Sequence, residues 1–314
     1  MDQCPSEVWA YIFELACTDG GVTGCSITLV SRYFREIVLP VQLYSVALRG
    51  ATKMVAFAKL LEQRSPAYRR VRHLFLANNG HSIPENSVLH IRDLNDILFW
   101  ILTTLAPALL TLASTLHENA VTKSSVLSIS FPCLTELTLN GYLLYPDVRI
   151  AAPMHNCFPS LRYLHILSAC NSAPLYTARA PGLTHLRLST LSTIHQDFQQ
   201  ALEDFLTGSG AADQQSIRHP FPSTIQKIVI QQDRVITRSL HGGMGGWTNR
   251  LIEGLQALLH ADKGRKLEIL AKNWTKPPDR SARDCWEDRI VGGCGCWGET
   301  DVLGKDIGSK VAPI

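Results

Sequence analysis

Three cysteines, Cys285, Cys294 and Cys296, fall within twelve residues in DCWEDRIVGGCGCWGE. Three thiolates could begin a zinc site, but tetrahedral zinc wants paired Cys-x-x-Cys spacing or a neighbouring histidine to complete it, and neither is present. They read as free thiols, and no metal is expected. His155 and Cys157 in MHNCF stand too far from other ligating or basic residues to make a metal site or a nucleophile–base pair. The glycine run HGGMGGWTNR, 241–250, precedes a helical pattern as a phosphate loop does. It lacks both the Gly-Lys-Ser/Thr ending and the Gly-x-Gly-x-x-Gly spacing, so it reads as a turn with Thr248 or Asn249 capping a helix. In TGCSIT, Gly24 and Ser26 fit a hydrolase elbow, but Thr28 replaces its second glycine. RSPAYRRVRHL, 64–74, brings Arg64, Arg69, Arg70, Arg72 and His73 together with an aromatic, the make-up of a phosphate grip. Val71, Leu74 and Leu76 alternate with them as in a strand, which makes the arginines a solvated face. No catalytic residue and no cofactor is assigned.

Composition agrees with a folded globular protein. The 314 residues are 46% hydrophobic and 18% charged, which is globular rather than disordered. A formal charge of +3 makes no general case for nucleic acid or an anionic membrane. The nine cysteines are odd in number and irregular in spacing, and MDQCPSEVWAYIFELACTDG is acidic without a continuous apolar run. The expectation is therefore no signal peptide, no disulfide framework, and a reducing cytoplasmic or nuclear compartment. Residues 97–117, ILFWILTTLAPALLTLASTLH, carry no Asp, Glu, Lys or Arg and are long enough to span a bilayer. Leu94, Ile97, Leu98, Ile101, Leu102 and Leu105 instead recur at steps of three and four, and Pro107 sits in the middle. That pattern predicts a buried helix that stops before Pro107, followed by a strand, and no membrane span.

After Pro107 a motif returns: APALLTLAS from 106, FPCLTELTL from 131, FPSLRYLHI from 158 and APGLTHLRL from 180, with 25, 27 and 22 residues between prolines. The apolar sets are Leu109/Leu112, Leu134/Leu137/Leu139, Leu161/Leu164/Ile166 and Leu183/Leu186/Leu188. The step and the Leu-x-x-Leu-x-Leu core match a leucine-rich repeat. Looser copies are VRHLFL, with Val71/Leu74/Leu76, and IQKIVI, with Ile225/Ile228/Ile230, and LEIL at 267–270 makes a last strand. Helical stripes lie between them at Ile194/Phe198/Ala201/Leu202/Phe205 and at Leu251/Ile252/Leu255/Leu258/Leu259. Strand followed by helix, repeated, predicts a solenoid of parallel strands. TGSGAADQQSIRHP at 207–220 reads as a surface loop, and a short helix around Trp286 and Ile290 ends at Gly292-Gly293. On strand alternation, Glu136, Thr138, Tyr163, His165, His185 and Arg187 point away from the leucines and are candidate contacts for a target protein.

The first fifty residues read as three short helices. Val8, Trp9, Ile12, Phe13 and Ala16 form a broad apolar face, TDGGVTG breaks the pattern, and Ile27, Val30, Phe34 and Ile37 resume it until Pro40. So small a unit has little interior, so some of these side chains must meet another domain or another chain.

Pro5, Glu7, Ile12-Phe13, then Leu29-Val30-Ser31-Arg32-x-Phe34-Arg35, closing on Pro40 and Leu43-Tyr44, resemble an F-box, as in the fungal F-box-like proteins with leucine-rich repeats. Cys4 stands where the family usually has leucine, and TDGGVTG lengthens the link between helices. The resemblance implies an α/β chain: an N-terminal helical F-box over 1–47, an irregular leucine-rich-repeat solenoid with parallel strands and helices over 48–297, and a loose tail over 298–314. It implies a substrate receptor of a cullin–RING ubiquitin ligase rather than an enzyme. Pro5, Trp9, Ile12, Phe13, Leu29, Val30 and Phe34 would meet a Skp-type adaptor, and the repeats would hold an unknown protein target. The alternative is an interaction scaffold outside any ligase.

Overall fold

The structure, a computed structural model, describes residues 4–77, 91–116, 128–140, 156–167, 173–191, 196–208, 221–232, 254–260, 262, 266–270 and 278–298. The stretch 209–220, the glycine run 241–250, the tail beyond Gly298, and Ile194, Leu251, Ile252 and His155 lie outside the described residues.

Three helices open the chain: α1 (Ser6–Ala16), α2 (Val22–Ile27) and α3 (Arg32–Val38). The helical pattern at 27–37 is broken in two, because residues 28–30 turn and Ser31 caps α3, accepting from the Phe34 amide at 3.1 Å. Part of TDGGVTG is itself helical. Asp19 accepts from the Thr23 amide (2.9 Å) and hydroxyl (2.7 Å) and so satisfies the start of α2. Trp9, Phe13 and Phe34 pack with ring centroids 5.0–5.8 Å apart, over buried Cys17 and Val38.

An eight-stranded, all-parallel sheet follows: β1 (Ser45–Arg49), β2 (His73–Ala77), β3 (Thr111–Ser114), β4 (Glu136–Asn140), β5 (Tyr163–Leu167), β6 (His185–Leu191), β7 (Lys227–Gln232) and β8 (Leu267–Leu270). The strands lie side by side in chain order, so each connection crosses over and adds the next strand at the same edge. β1 was not anticipated, and the domain boundary at residue 47 falls inside it. The helical unit and the sheet are therefore joined through one strand.

The register explains the motif. Leu74, Leu112, Leu137, Leu164, Leu186 and Ile228 are successive partners across the sheet and form one buried file. Leu139, Ile166, Leu188 and Ile230 form a second. Against this face pack α4 (Ala51–Gln63), α5 (Ile91–Leu105), α6 (Ala173–Thr177), α7 (Gln196–Thr207) and α8 (254–260), through side chains such as Met54, Leu61, Ile101, Leu105, Leu202 and Leu258. The phenylalanine before the repeated proline also has a role: Phe131 and Phe158 stack at 5.7 Å inside the same core. Hydroxyls before the strands tie one turn to the previous strand's turn. Thr135 donates to the Leu110 carbonyl (3.1 Å) and Thr184 to the Arg162 carbonyl (3.0 Å). As expected, α5 ends ahead of Pro107 and leads into β3. Among the described residues no helix is long and apolar enough to cross a membrane.

A last helix, α9 (Pro278–Ile290), and the 3-10 turn Gly295–Trp297 lie on the opposite face of the sheet. Phe75, Ala77, Ala113 and Leu167 meet Ala282 and Trp286 there, with Ala47 and Ile290 beside them.

Candidate functional site

Two surfaces have the properties of sites. The first is on α1–α3. Of the large apolar side chains exposed among the described residues, thirteen in all, eight belong to this small region: Val8, Tyr11, Ile12, Leu15, Val22, Leu29, Val30 and Tyr33. Val8, Tyr11, Ile12 and Leu15 recur at i, i+3, i+4 and i+7, so α1 has one complete apolar stripe facing solvent. Its other face carries Trp9 and Phe13 into the helical core. The seven positions expected to meet an adaptor therefore divide. Pro5, Ile12, Leu29 and Val30 are exposed, Leu29 by 80%. Phe13 is buried, and Trp9 and Phe34 are half-buried against it in the helical core. Tyr11, Leu15 and Tyr33 share this exposed surface and are not among the seven. The signal was present: α1 is apolar around most of its circumference, which is more than one interior can absorb.

The second surface is the sheet face turned away from the leucines. Thr111, Glu136, Tyr163, His185 and Lys227 are partners in one row, and Ala113, Thr138, His165, Arg187 and Val229 in the next. The structure does bring the six expected target contacts onto one face, but that face is not open. Glu136, Thr138, His165 and Arg187 are buried, and Tyr163 and His185 are half-buried. Strand alternation gives the face a side chain points to, not what lies over it, and here α9 and the 3-10 turn lie over it.

The cover is held by directed contacts. Glu136 accepts from Arg289 Nε (2.7 Å) through one carboxylate oxygen and from Trp297 Nε1 (3.0 Å) through the other. The Arg289 guanidinium also sits 5.1 Å from the Tyr163 ring centre. The Trp297 ring packs against Tyr163, His165 and His185 with centroids 5.2, 6.3 and 6.0 Å away. Trp286 Nε1 donates to Thr111 Oγ1 at 3.2 Å. Arg187 donates to the Cys296 carbonyl and to Gln231 Oε1 (2.7 Å). Positive φ at Gly292 and Gly295 lets the chain reverse after α9 and drop onto the sheet.

A thiol and an imidazole also meet here. Cys296 Sγ lies 3.5 Å from His165 Nδ1, whose Nε2 pairs with Ser189 Oγ at 2.9 Å. Burial, with Arg187 beside it, holds the His165 imidazole well below its usual 6.5. A hydrogen bond with Cys285, and then burial, push the Cys296 thiol well up. The same hydrogen bond lowers the neighbouring Cys285 thiol, and the His165 imidazole packs beside the pair. Glu136, Thr138, His165, Cys285 and Arg289 border a void of about 10 Å³, room for about one water. The polar groups of this face are thus spent on holding one segment of the chain to another. Compared with protein-family models, curated proteins and solved structures, the chain matches none of them.

Proposed function

We propose that the chain is a substrate-recognition adaptor of a Skp–cullin–F-box ubiquitin ligase, with α1–α3 as a divergent F-box and the strand–helix units as an irregular leucine-rich-repeat solenoid. The observation that carries the reading is the unpartnered apolar surface of α1–α3. A helical unit with its own aromatic core has no folding reason to leave Val8, Tyr11, Ile12, Leu15, Leu29 and Val30 in water. Fully burying each such side chain against a partner contributes roughly 1.5–3 kcal/mol, and a handful outweigh the cost of association. The F-box-like residue order names that partner as a Skp-type adaptor and, through it, a cullin–RING ligase in the cytoplasm or nucleus. The chain supplies no nucleophile. It raises the concentration of a target lysine near the charged enzyme.

The test is co-purification with the Skp-type adaptor. Phe13→Asp is a poor probe because Phe13 is core, and loss of binding would report unfolding. Leu29→Asp with Val30→Asp changes only exposed side chains. The double variant is expected to melt like the parent and to lose at least tenfold in adaptor capture. Undiminished capture by the folded variant would remove the docking role from this surface. A parent chain that captures no adaptor would leave an interaction scaffold outside the ligase.

A further inference from the structure

We propose that the sheet face lined by Glu136, Tyr163, His165, His185 and Arg187 is a peptide-recognition site, and that residues 278–298 are its resident occupant, displaced by a partner segment presenting an arginine and a tryptophan. This extends the adaptor reading by naming what its target surface recognises, but it rests on separate residues.

α9 reaches the sheet through Ala282, Trp286 and Ile290, one side chain per turn, with Cys285 beside them, and its other described side chains are polar. The leucine face, by contrast, is sealed by several helices inside one continuous core. The two sides of the sheet are thus covered in different ways: one by a hydrophobic interior, the other by a few anchors and directed polar contacts.

Those contacts have the form of recognition. Glu136 is a buried carboxylate whose two oxygens separately meet a guanidinium and an indole N–H. The Tyr163, His165 and His185 rings, on adjacent strands, make a three-sided seat for one indole. Arg187, held by Gln231 and Ser189, presents its free N–H to a main-chain carbonyl, which any peptide carries. A core needs none of this specificity. A site that must accept one segment and refuse others does, because a buried carboxylate left without its guanidinium is penalised.

The selectivity that follows is for an arginine about one turn of helix before a reversal that ends in tryptophan. A carboxylate in the place of that arginine is excluded by Glu136. Because the resident segment is tethered, it competes at millimolar effective concentration, so a free partner binds the closed form weakly.

The experiment uses the full-length chain and, as probe, a fluorescent synthetic peptide of residues 278–298 kept reduced. An opened variant, Arg289→Ala with Trp297→Ala, weakens the resident contacts, leaves the sheet untouched and puts no new charge opposite position 136. The proposal expects the opened variant to remain cooperatively folded and to bind the peptide about tenfold or more tightly than the parent chain. Adding Glu136→Lys to the opened variant should abolish that binding, as should Arg289→Glu in the peptide. A folded opened variant that does not bind the peptide, or binds it regardless of Glu136→Lys, overturns the proposal. So does an opened variant that unfolds, since the segment would then be part of the core. Adaptor capture through Leu29 and Val30 reads the other surface, so failure of one reading is distinguishable from failure of the other.

Discussion

At the scale of single residues, the imidazoles of the sheet face tie the fold to pH. His73 is buried at the start of β2, with Nδ1 2.9 Å from Thr111 Oγ1 and its ring 5.2 Å from that of Tyr44. Burial, assisted by the Arg72 charge, lowers its pKa from 6.5 to about 4. The unfolded chain therefore binds the proton more readily than the folded one. Its contribution to stability is complete above about pH 6.5 and is lost as the pH falls from there to about 4, on the order of 3 kcal/mol in all. His165 and His185 are lowered by burial too and act in the same direction. Urea midpoints measured between pH 7.5 and 4 are expected to fall steadily, and His73→Gln should flatten the slope. An unchanged slope would show that His73 does not titrate with folding. Burial also separates core from exposed side chains on α1. Trp9 and Phe13 are neighbours in sequence of Tyr11 and Ile12, yet Trp9 is half-buried and Phe13 buried while the latter pair is exposed.

At the scale of elements, α2 shows why a short helix can have a fixed place. Its six residues are too few to be stable alone, and Asp19 at one end and the close approach of the 41–43 turn hold it. Gly24 is buried in that contact, and a Cβ there would run into the Gln42 carbonyl. Helix propensity alone favours Gly24→Ala by about 1 kcal/mol. The packing predicts the opposite sign, a loss of about 1–3 kcal/mol in equilibrium unfolding. A stabilised Gly24→Ala protein would mean that α2 does not pack against Gln42. The glycine that fits a hydrolase elbow in TGCSIT is thus explained by backbone approach. The repeated strands follow another logic: each is short, and its place comes from the leucine file it extends.

At the scale of the whole molecule, the helical unit and the sheet meet at β1. Ser45 donates to the Cys17 carbonyl (2.7 Å) and accepts from the Gly20 amide (3.0 Å), while the Ala47 amide donates to the Gly20 carbonyl (3.1 Å). Gly20 and Gly21, both at positive φ, make the turn that reaches the strand. Ser45→Ala strands buried polar groups on both sides, with an expected cost of about 1–3 kcal/mol. Thermal unfolding should remain one transition at lower temperature. Two separated transitions would show that the helical unit melts independently of β1. For the same reason a deletion of 1–47 removes part of a strand as well as the helices, and point variants test the docking surface more cleanly. The sequence by itself determined the parallel α/β order, because each Pro-x-Leu-x-x-Leu run buries its leucines by local alternation and each helix carries its stripe in contiguous residues. It also determined that the first fifty residues hold more apolar surface than they can bury. Only the tertiary structure decided which aromatic residues of α1 and α3 turn inward, since that depends on how the helices cross. It alone decided that Glu136, His165 and Arg187 are covered, because Arg289 and Trp297 lie more than a hundred residues further along the chain and no local pattern links them.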